Sequence, residues 1–153
     1  MTTATQENRL TEAAARLRMA IVRTARRLRQ EAAAGAGGTE LSPTAGAALA
    51  TVERHGPLTP SELADIERVK RPTATRLIGT LESSGLVVRA SDPSDRRSSL
   101  IAITPAGREL MRTLRTRKDA YLAQRLRKLS AEDRETLDRA ADLLERLLEE
   151  DPA

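Results

Sequence analysis

The spacing of apolar residues divides the chain into helices and one pair of short strands. Over residues 7–32 the apolar side chains recur at alternating steps of four and three, which predicts a long helix with a narrow, nearly heptad stripe. Residues 105–149 are expected to form two further helices, and the second of them repeats this spacing. Stripes this narrow suit helix–helix seams between two chains, although packing of these helices within one chain remains an alternative.

Capping signals between the terminal helices mark three shorter helices. The Ser42-Pro43 pair predicts the start of one helix, which the sequence at 55–57 ends. Thr59 then opens a capping box, because Glu62 stands three residues after it, and a short helix is expected over 60–66. Its inward-facing residues are expected to be Leu63, Ala64 and Ile66.

A second helix is expected from Arg71 to about residue 84, directly after a brief turn. One face is apolar at helical spacing: Ala74, Leu77, Ile78 and Leu81. The opposite face carries small, polar or cationic residues: Thr73, Thr75, Arg76, Gly79, Thr80 and Ser83. Small side chains let a helix approach the major groove closely, and arginine can bond guanine edges or phosphates, so the pattern predicts a DNA-binding helix-turn-helix.

Residues 86–103 are typical of a β-hairpin with a doubly cationic tip. The apolar runs 86–89 and 100–103 predict its strands, and the turn residues at 92–95 are followed by Arg96 and Arg97. Alone, an exposed arginine pair is more often ordinary solvated surface. Directly after a helix with a small, cationic outer face, the pair instead favours a winged helix-turn-helix that contacts duplex DNA at two adjacent places.

Composition narrows the chemistry and the partners. The chain has 153 residues and no Cys, Phe or Trp, with one His and one Tyr. The absence of cysteine excludes disulfides and thiol redox sensing, and the lone histidine argues against a metal site. The scarcity of aromatic rings argues against single-strand binding by base stacking.

No stretch approaches the roughly 20 apolar residues that span a bilayer, so we expect a cytoplasmic protein with no membrane partner and no cofactor.

The net charge is only +4, but its placement is uneven. Residues 1–35 carry seven Arg against three Glu, and residues 98–128 carry eight Lys or Arg against two acids. Residues 129–153 reverse the balance, with three Arg against nine acids. This asymmetry indicates that the basic part of the chain faces a polyanion and that the acidic segment faces elsewhere. Helix faces that pair with each other would give the same pattern.

Three segments carry a resemblance to the MarR family of bacterial transcriptional regulators, which extends over nearly the whole chain. They read H-G-P-L-T-P-S-E-L-A at 55–64, R-P-T-A-T-R-L-I-G-T-L-E-S-S-G-L-V at 71–87, and D-P-S-D-R-R-S-S-L-I-A-I-T-P-A-G at 92–107. The resemblance implies a mainly α fold, a winged helix-turn-helix with six helices and a small β-hairpin wing. A single domain over 1–153 would contain a DNA-binding lobe at 42–104 and dimerisation helices at 7–32 and 105–149.

The resemblance also implies a role for the hairpin tip. Arg97 would enter the minor groove, Asp95 would hold the wing or that arginine in place, and Arg96 would be a second contact. The candidate DNA-binding residues are therefore Ser61, Lys70, Arg71, Thr73, Thr75, Arg76, Asp95, Arg96 and Arg97. The alternative to a DNA contact is an i,i+4 surface pairing for Arg76, a solvated wing residue for Arg97, and ordinary solvated surface for the residues of the two motif helices and their turn.

The expected function is that of a sequence-specific regulator of transcription, a repressor that binds double-stranded DNA as a homodimer. A two-fold dimer would place two recognition helices about 34 Å apart, on a palindromic operator. By resemblance, a small aromatic or anionic effector could release the DNA, and Arg16, Arg23 or Arg27 could meet its carboxylate.

Three other classes of function would require other features of the sequence or of the binding. A winged-helix protein-interaction module would present a neutral or acidic recognition face. A nonspecific architectural DNA binder would not distinguish an operator from a random duplex. An enzyme is disfavoured, because the sequence contains no Gly-rich phosphate loop, no nucleophile–base pair and no cluster of metal ligands.

Overall fold

The computed structural model describes residues 2–34, 41–91 and 99–149, and over these ranges it contains six helices and one two-stranded sheet. In chain order the elements are α1 Thr2–Ala33, α2 Pro43–His55, α3 Pro60–Ile66, α4 Arg71–Ser83, β1 Val87–Ser91, β2 Ser99–Ile103, α5 Pro105–Leu126 and α6 Ala131–Glu149. The predicted order of helices and strands, and the mainly helical fold with one hairpin, are confirmed. The first helix begins five residues earlier than the apolar stripe indicated.

The buried core lies among α2, α3, α4 and the sheet. Its largest fully buried side chains are Leu49, Val52, Leu63, Ile78, Leu81 and Ile101. Burial of each such side chain stabilises the fold by roughly 1.5–3 kcal/mol. The prediction that Ile66 faces inward was wrong: this residue is 45% exposed, because α3 ends at it and its side chain leaves the buried face.

Hydroxyl caps fix where the short helices begin, as predicted. The Ser42 side chain accepts a hydrogen bond from the Ala45 N–H at the start of α2. At the start of α3, Thr59 Oγ1 accepts from the Glu62 N–H at 3.2 Å, and Glu62 Oε2 accepts from the Thr59 N–H at 2.7 Å. Both halves of the capping box are therefore present, and a cap of this kind stabilises a helix by about 1 kcal/mol.

The hairpin is attached to the core by a link that the sequence did not reveal. Leu58, in the segment between α2 and α3, exchanges two backbone hydrogen bonds with Ile101 of β2, at 3.1 and 2.7 Å. Val87 and Ile101 are buried, whereas the remainder of β1 is exposed. The base of the hairpin is thus held on the lobe, and its strands extend away from it.

The start of α5 is joined closely to the end of α4. Thr104, the N-cap of α5, donates from its hydroxyl to the Gly85 carbonyl at 2.7 Å and from its N–H to the Leu86 carbonyl at 3.0 Å. Gly107, in the first turn of α5, lies so close that an added Cβ would stand 2.3 Å from the Leu86 oxygen. Only glycine permits this approach of helix to turn.

Helices α1 and α5 pack together, while α6 stands largely uncovered. Arg117 of α5 donates to the Ala32 carbonyl of α1 at 3.2 Å. Arg115 of α5 pairs with Glu53 of α2 at 2.8 Å, an interaction called here the α2–α5 ion pair. Over 131–148 of α6, every side chain except two is exposed. In the described part of the chain, no helix combines the length and apolar character that crossing a membrane requires.

Candidate nucleic-acid interface

Helix α4 presents one apolar face to the core and one polar face to solvent. Ala74, Leu77, Ile78 and Leu81 are buried, as their spacing predicted. The outward face consists of exposed Thr75, Arg76, Gly79, Thr80 and Ser83 together with half-buried Thr73. The core thus fixes the orientation of α4, and the residues that it turns outward are those that the sequence placed on the face opposite the apolar one.

The hydroxyls on this outward face are held by the helix backbone. Thr75 Oγ1 donates to the Arg71 carbonyl and Thr80 Oγ1 donates to the Arg76 carbonyl, each at 3.1 Å. Both residues are exposed, so their hydroxyl oxygens can still accept hydrogen bonds from base amines. The Arg76 side chain makes no ion pair within the described ranges, so its guanidinium keeps its donors for another partner.

Gly79 leaves open space in the middle of the outward face. A Cβ added there would meet no heavy atom within 4 Å, so packing does not require glycine at this position. Glycine in the interior of a helix destabilises it by about 0.5–1 kcal/mol relative to alanine. Because Gly79 is exposed and has no side chain, another surface can approach the helix backbone closely at this point.

Cations surround the N-terminus of α4. Lys70 is the N-cap residue and Arg71 is the first residue of the helix, and both are exposed. At such an N-terminus, unpaired backbone N–H groups and the helix dipole add to the attraction for phosphate. Ser61, in the first turn of α3, is half-buried.

Arg68, in the turn before α4, was not among the predicted residues. It is exposed and has a φ of 51°, the only positive value at a non-glycine residue in the described ranges. No sequence pattern marks this conformation, since glycine is the usual residue there.

The hairpin carries the second part of the predicted interface. Its strands pair antiparallel from Val87 opposite Ile103 to Ser91 opposite Ser99. Arg89 of β1 pairs with Glu82 of α4 at 3.1 Å, which ties the hairpin to the end of the recognition helix. The predicted tip residues Asp95, Arg96 and Arg97 lie outside the described residues.

A second group of polar side chains lies between α1 and α5. Arg27 Nε donates to the Tyr121 hydroxyl at 3.2 Å, and Arg27 also pairs with Glu31 at 2.6 Å. The Arg125 guanidinium lies 5.0 Å from the centre of the Tyr121 ring. The hydrogen bond from Arg27 lowers the pKa of Tyr121 below its ordinary value, and the charge of Arg125 adds to this effect.

Of the three arginines considered for an effector, only Arg27 has a polar side-chain contact among the described residues. Arg16 and Arg23 are exposed on a shallow apolar surface of α1 that also includes Leu17 and Ala20. The structure does not bring these three arginines together into one enclosed cavity.

The charge of the outward face of α4 distinguishes between the classes of function that the sequence left open. Residues 70–81, which comprise the N-cap and most of α4, contain three cations and no carboxylate. The first acidic residue after them, Glu82, is paired with Arg89. This face is basic, not neutral or acidic as a protein-interaction module would require. Within the described ranges, no three His, Asp or Glu side chains are grouped closely enough to hold a metal ion.

Comparison with known proteins gives an independent result. The sequence model that defines the MarR family matches residues 41–99 of this chain. An HTH-type transcriptional regulator of Mycobacterium bovis is 40% identical over 105 residues, which are 69% of this chain and 73% of that protein. A crystal structure of a putative transcriptional regulator from Pseudomonas aeruginosa is 30% identical, with a TM-score of 0.81 over 92% of this chain and 96% of that chain.

A further solved structure shares the fold and contains DNA. It is a mutant of the Staphylococcus aureus protein MepR bound to an oligodeoxyribonucleotide. The identity is 22% and the TM-score 0.66, and the similarity covers 91% of this chain and 98% of that chain.

Proposed function

The chain belongs to the MarR family of transcriptional regulators, which are not enzymes, and we propose that it is a homodimeric repressor that binds a palindromic operator in double-stranded DNA. In this proposal the single domain over 1–153 divides its work. The lobe at 42–104 binds DNA, and the helices at 7–32 and 105–149 form the dimer. A cytoplasmic location would give the protein access to the chromosome.

The outward face of α4 is the observation that carries this proposal. It combines an Arg76 guanidinium with no ion pair among the described residues, small hydroxyl residues and the open position of Gly79, and Lys70 and Arg71 lie at its start. In the proposed complex α4 enters the major groove, Arg76 bonds a base edge or phosphate, and Thr73 and Thr75 contact bases or phosphates. Ser61, Lys70 and Arg71 contact phosphates, which position the lobe without specifying sequence.

The wing supplies the second contact. We assign Arg97 to the minor groove, with Asp95 supporting it and Arg96 beside it, on the family resemblance. The ion pair between Arg89 and Glu82 supports this arrangement, because it ties the hairpin to the recognition helix. The two contacts would then act as one unit.

Uncovered apolar residues on the terminal helices support the homodimer. On α1, Leu10 is 72% exposed and Val22 51%; on α6, Leu147 is 59% exposed and Leu148 80%. Such surface is costly to leave in water and favours association. The charges complement each other as well, since α6 is acidic and α1 is rich in arginine, so α6 of one protomer is suited to α1 of its partner.

DNA binding by this fold has a precedent in the MepR mutant bound to an oligodeoxyribonucleotide. Two-fold symmetry of a dimer would place the two α4 helices in successive major grooves and require a palindrome. Release by a small aromatic or anionic effector is part of the proposal. The α2–α5 ion pair would transmit the effect of effector binding to the DNA lobe, because it links that lobe to a dimerisation helix.

Selection of bound fragments from the source genome tests the function directly. We expect a palindromic motif, bound at least a thousandfold more tightly than a random duplex of equal length, and light scattering at micromolar concentration should give the mass of a dimer. Arg97→Ala should weaken operator binding markedly and leave the dimer intact. Equal binding to operator and random duplex would instead identify a nonspecific architectural protein, and absence of duplex binding would leave a protein-interaction module.

Repression needs a separate test, because binding does not determine its direction. A reporter gene placed behind the selected operator should be expressed less when the regulator is present. Increased expression would overturn the repressor assignment while leaving the DNA-binding assignment intact.

A further inference from the structure

Helices α3 and α4 end with the same arrangement of backbone hydrogen bonds, a Schellman motif. In this motif the last turn closes by a six-residue and a four-residue bond, and one residue adopts a left-handed conformation. The bonds at the end of α4 are Leu86 N to Leu81 O and Gly85 N to Glu82 O, both 2.9 Å; at the end of α3 they are Val69 N to Ala64 O, 2.9 Å, and Arg68 N to Asp65 O, 3.1 Å.

The two motifs differ in the residue that takes the left-handed position. At the end of α4 it is Gly85, with a φ of 71°, and at the end of α3 it is Arg68, with a φ of 51°. Glycine adopts this conformation without strain, whereas any residue with a Cβ is strained there. The chain therefore uses the favourable residue at one turn and an unfavourable one at the other.

No contact within the described ranges compensates for the strain at Arg68. Its side chain is exposed and makes no hydrogen bond, ion pair or ring contact there. The neighbouring Glu67 carboxylate accepts a hydrogen bond from the Thr51 hydroxyl of α2 instead. Asp65, in the last turn of α3, contributes only its backbone carbonyl. Strain that persists without a local benefit is a reason to look for a function.

The position of Arg68 indicates which function. The turn leads directly into α4, where Lys70 and Arg71 already concentrate positive charge. In a helix-turn-helix, the first helix crosses the DNA backbone and the second enters the groove, so the turn between them passes beside the phosphates. A long cationic side chain there can reach a phosphate that neither helix reaches.

We propose that Arg68 is a DNA-phosphate contact, and that its charge is retained in the turn at the expense of the backbone conformation. The inference rests on the proposed DNA-binding function and adds a residue to it. Because a phosphate contact carries no sequence information, Arg68 contributes to affinity for operator and random duplex alike.

The test compares Arg68→Gly with Arg68→Lys. Arg68→Gly removes the charge and relieves the strain, so we expect the Tm to rise by about 2–4 °C, while affinity for both duplexes falls about tenfold in a dimer that carries two copies. The slope of log K against log salt should decrease in magnitude by about 0.9 for each protomer. Arg68→Lys should keep the wild-type slope and Tm, because it keeps both charge and strain.

An exposed arginine on α6 serves as a control for net charge. Arg134→Gln removes one positive charge from a side chain with no ion pair in the described part of the chain, and its salt slope should equal that of the wild type. Dimer mass is measured for every variant.

Several results would overturn the inference. Wild-type affinity in Arg68→Gly would exclude a phosphate contact, and weaker binding with an unchanged slope would mean that the arginine acts only through the rigidity of the turn. A fall in the Tm of Arg68→Gly would refute the argument from strain. Failure of the wild-type protein to bind any duplex would instead refute the proposed function, so the two failures are distinguishable.

Discussion

Replacing Gly79 by alanine should make the protein more stable and a poorer DNA binder. The added Cβ would meet no heavy atom within 4 Å, so the change introduces no clash inside the protein. Alanine in a helix interior is favoured over glycine by about 0.5–1 kcal/mol. For a chain of this size we therefore expect the Tm to rise by about 1–4 °C.

The loss in binding follows from the same open space. If the backbone of α4 at Gly79 lies against the DNA, a methyl group must be accommodated at a close-packed surface. Overpacking of this kind typically costs about 1–3 kcal/mol. Operator affinity should therefore fall between roughly 5-fold and 150-fold.

Gly46 of α2 provides a matched control for this experiment. It also lies within a helix, and a Cβ there would likewise meet nothing within 4 Å. Gly46→Ala should thus give a similar gain in Tm with unchanged operator affinity. Thermal unfolding and titration of a labelled operator duplex measure both quantities. If Gly79→Ala bound the operator as tightly as Gly46→Ala does, the recognition face would not approach DNA at this point, and the reasoning would be refuted.

Three further substitutions test other parts of the structure. Gly107→Ala should destabilise the fold by about 1–3 kcal/mol in denaturant unfolding, because its Cβ would stand 2.3 Å from the Leu86 oxygen; an unchanged midpoint would contradict this packing. Glu53→Gln, which breaks the partly exposed α2–α5 ion pair, should cost at most about 1 kcal/mol of stability, and a larger loss would show that solvent screens the pair less than assumed. The Tyr121 phenol should ionise at lower pH than free tyrosine in an ultraviolet titration, and Arg27→Ala should raise its pKa.

The sign of the tyrosine effect follows from its direction. Since the pKa of Tyr121 is lowered in the folded protein, there is a pH range in which the folded chain has lost this proton and the unfolded chain retains it. Unfolding in that range takes up a proton, so this group favours the folded state increasingly as pH rises through it. A phenol titration that matched free tyrosine would contradict the contact with Arg27.

Features that depend on a few neighbouring residues could be predicted from the sequence. The capping box of Thr59 and Glu62 is local chemistry, and both of its hydrogen bonds are present. The two faces of α4 follow from helical spacing, so the outward placement of Arg76 was also predictable. These predictions succeed because an i, i+3 relation in sequence is already a relation in space once a helix forms.

Features that depend on distant segments could not be predicted. Leu58 and Ile101 are separated in sequence by α3, α4 and β1, and no local pattern marks their pairing. Ile66 has the composition of a core residue but stands where α3 ends. Gly79 and Gly107 look alike in the sequence, yet one faces open space and the other lies against a carbonyl oxygen. That difference is a matter of tertiary distance.

The attachment of α5 to the end of α4 has a mechanical consequence. With 22 residues, α5 is about 33 Å long. Its first turn packs so closely on the Leu86 carbonyl that a Cβ at Gly107 would stand 2.3 Å from that oxygen. A rotation of α5 would therefore also move the recognition helix, which is attached to its first turn. A tilt of about 5° over that length displaces the end by about 3 Å, close to the rise of one base pair. If the long helices form the dimer as proposed, a small rotation among them would move the recognition helix by a distance comparable to one base pair.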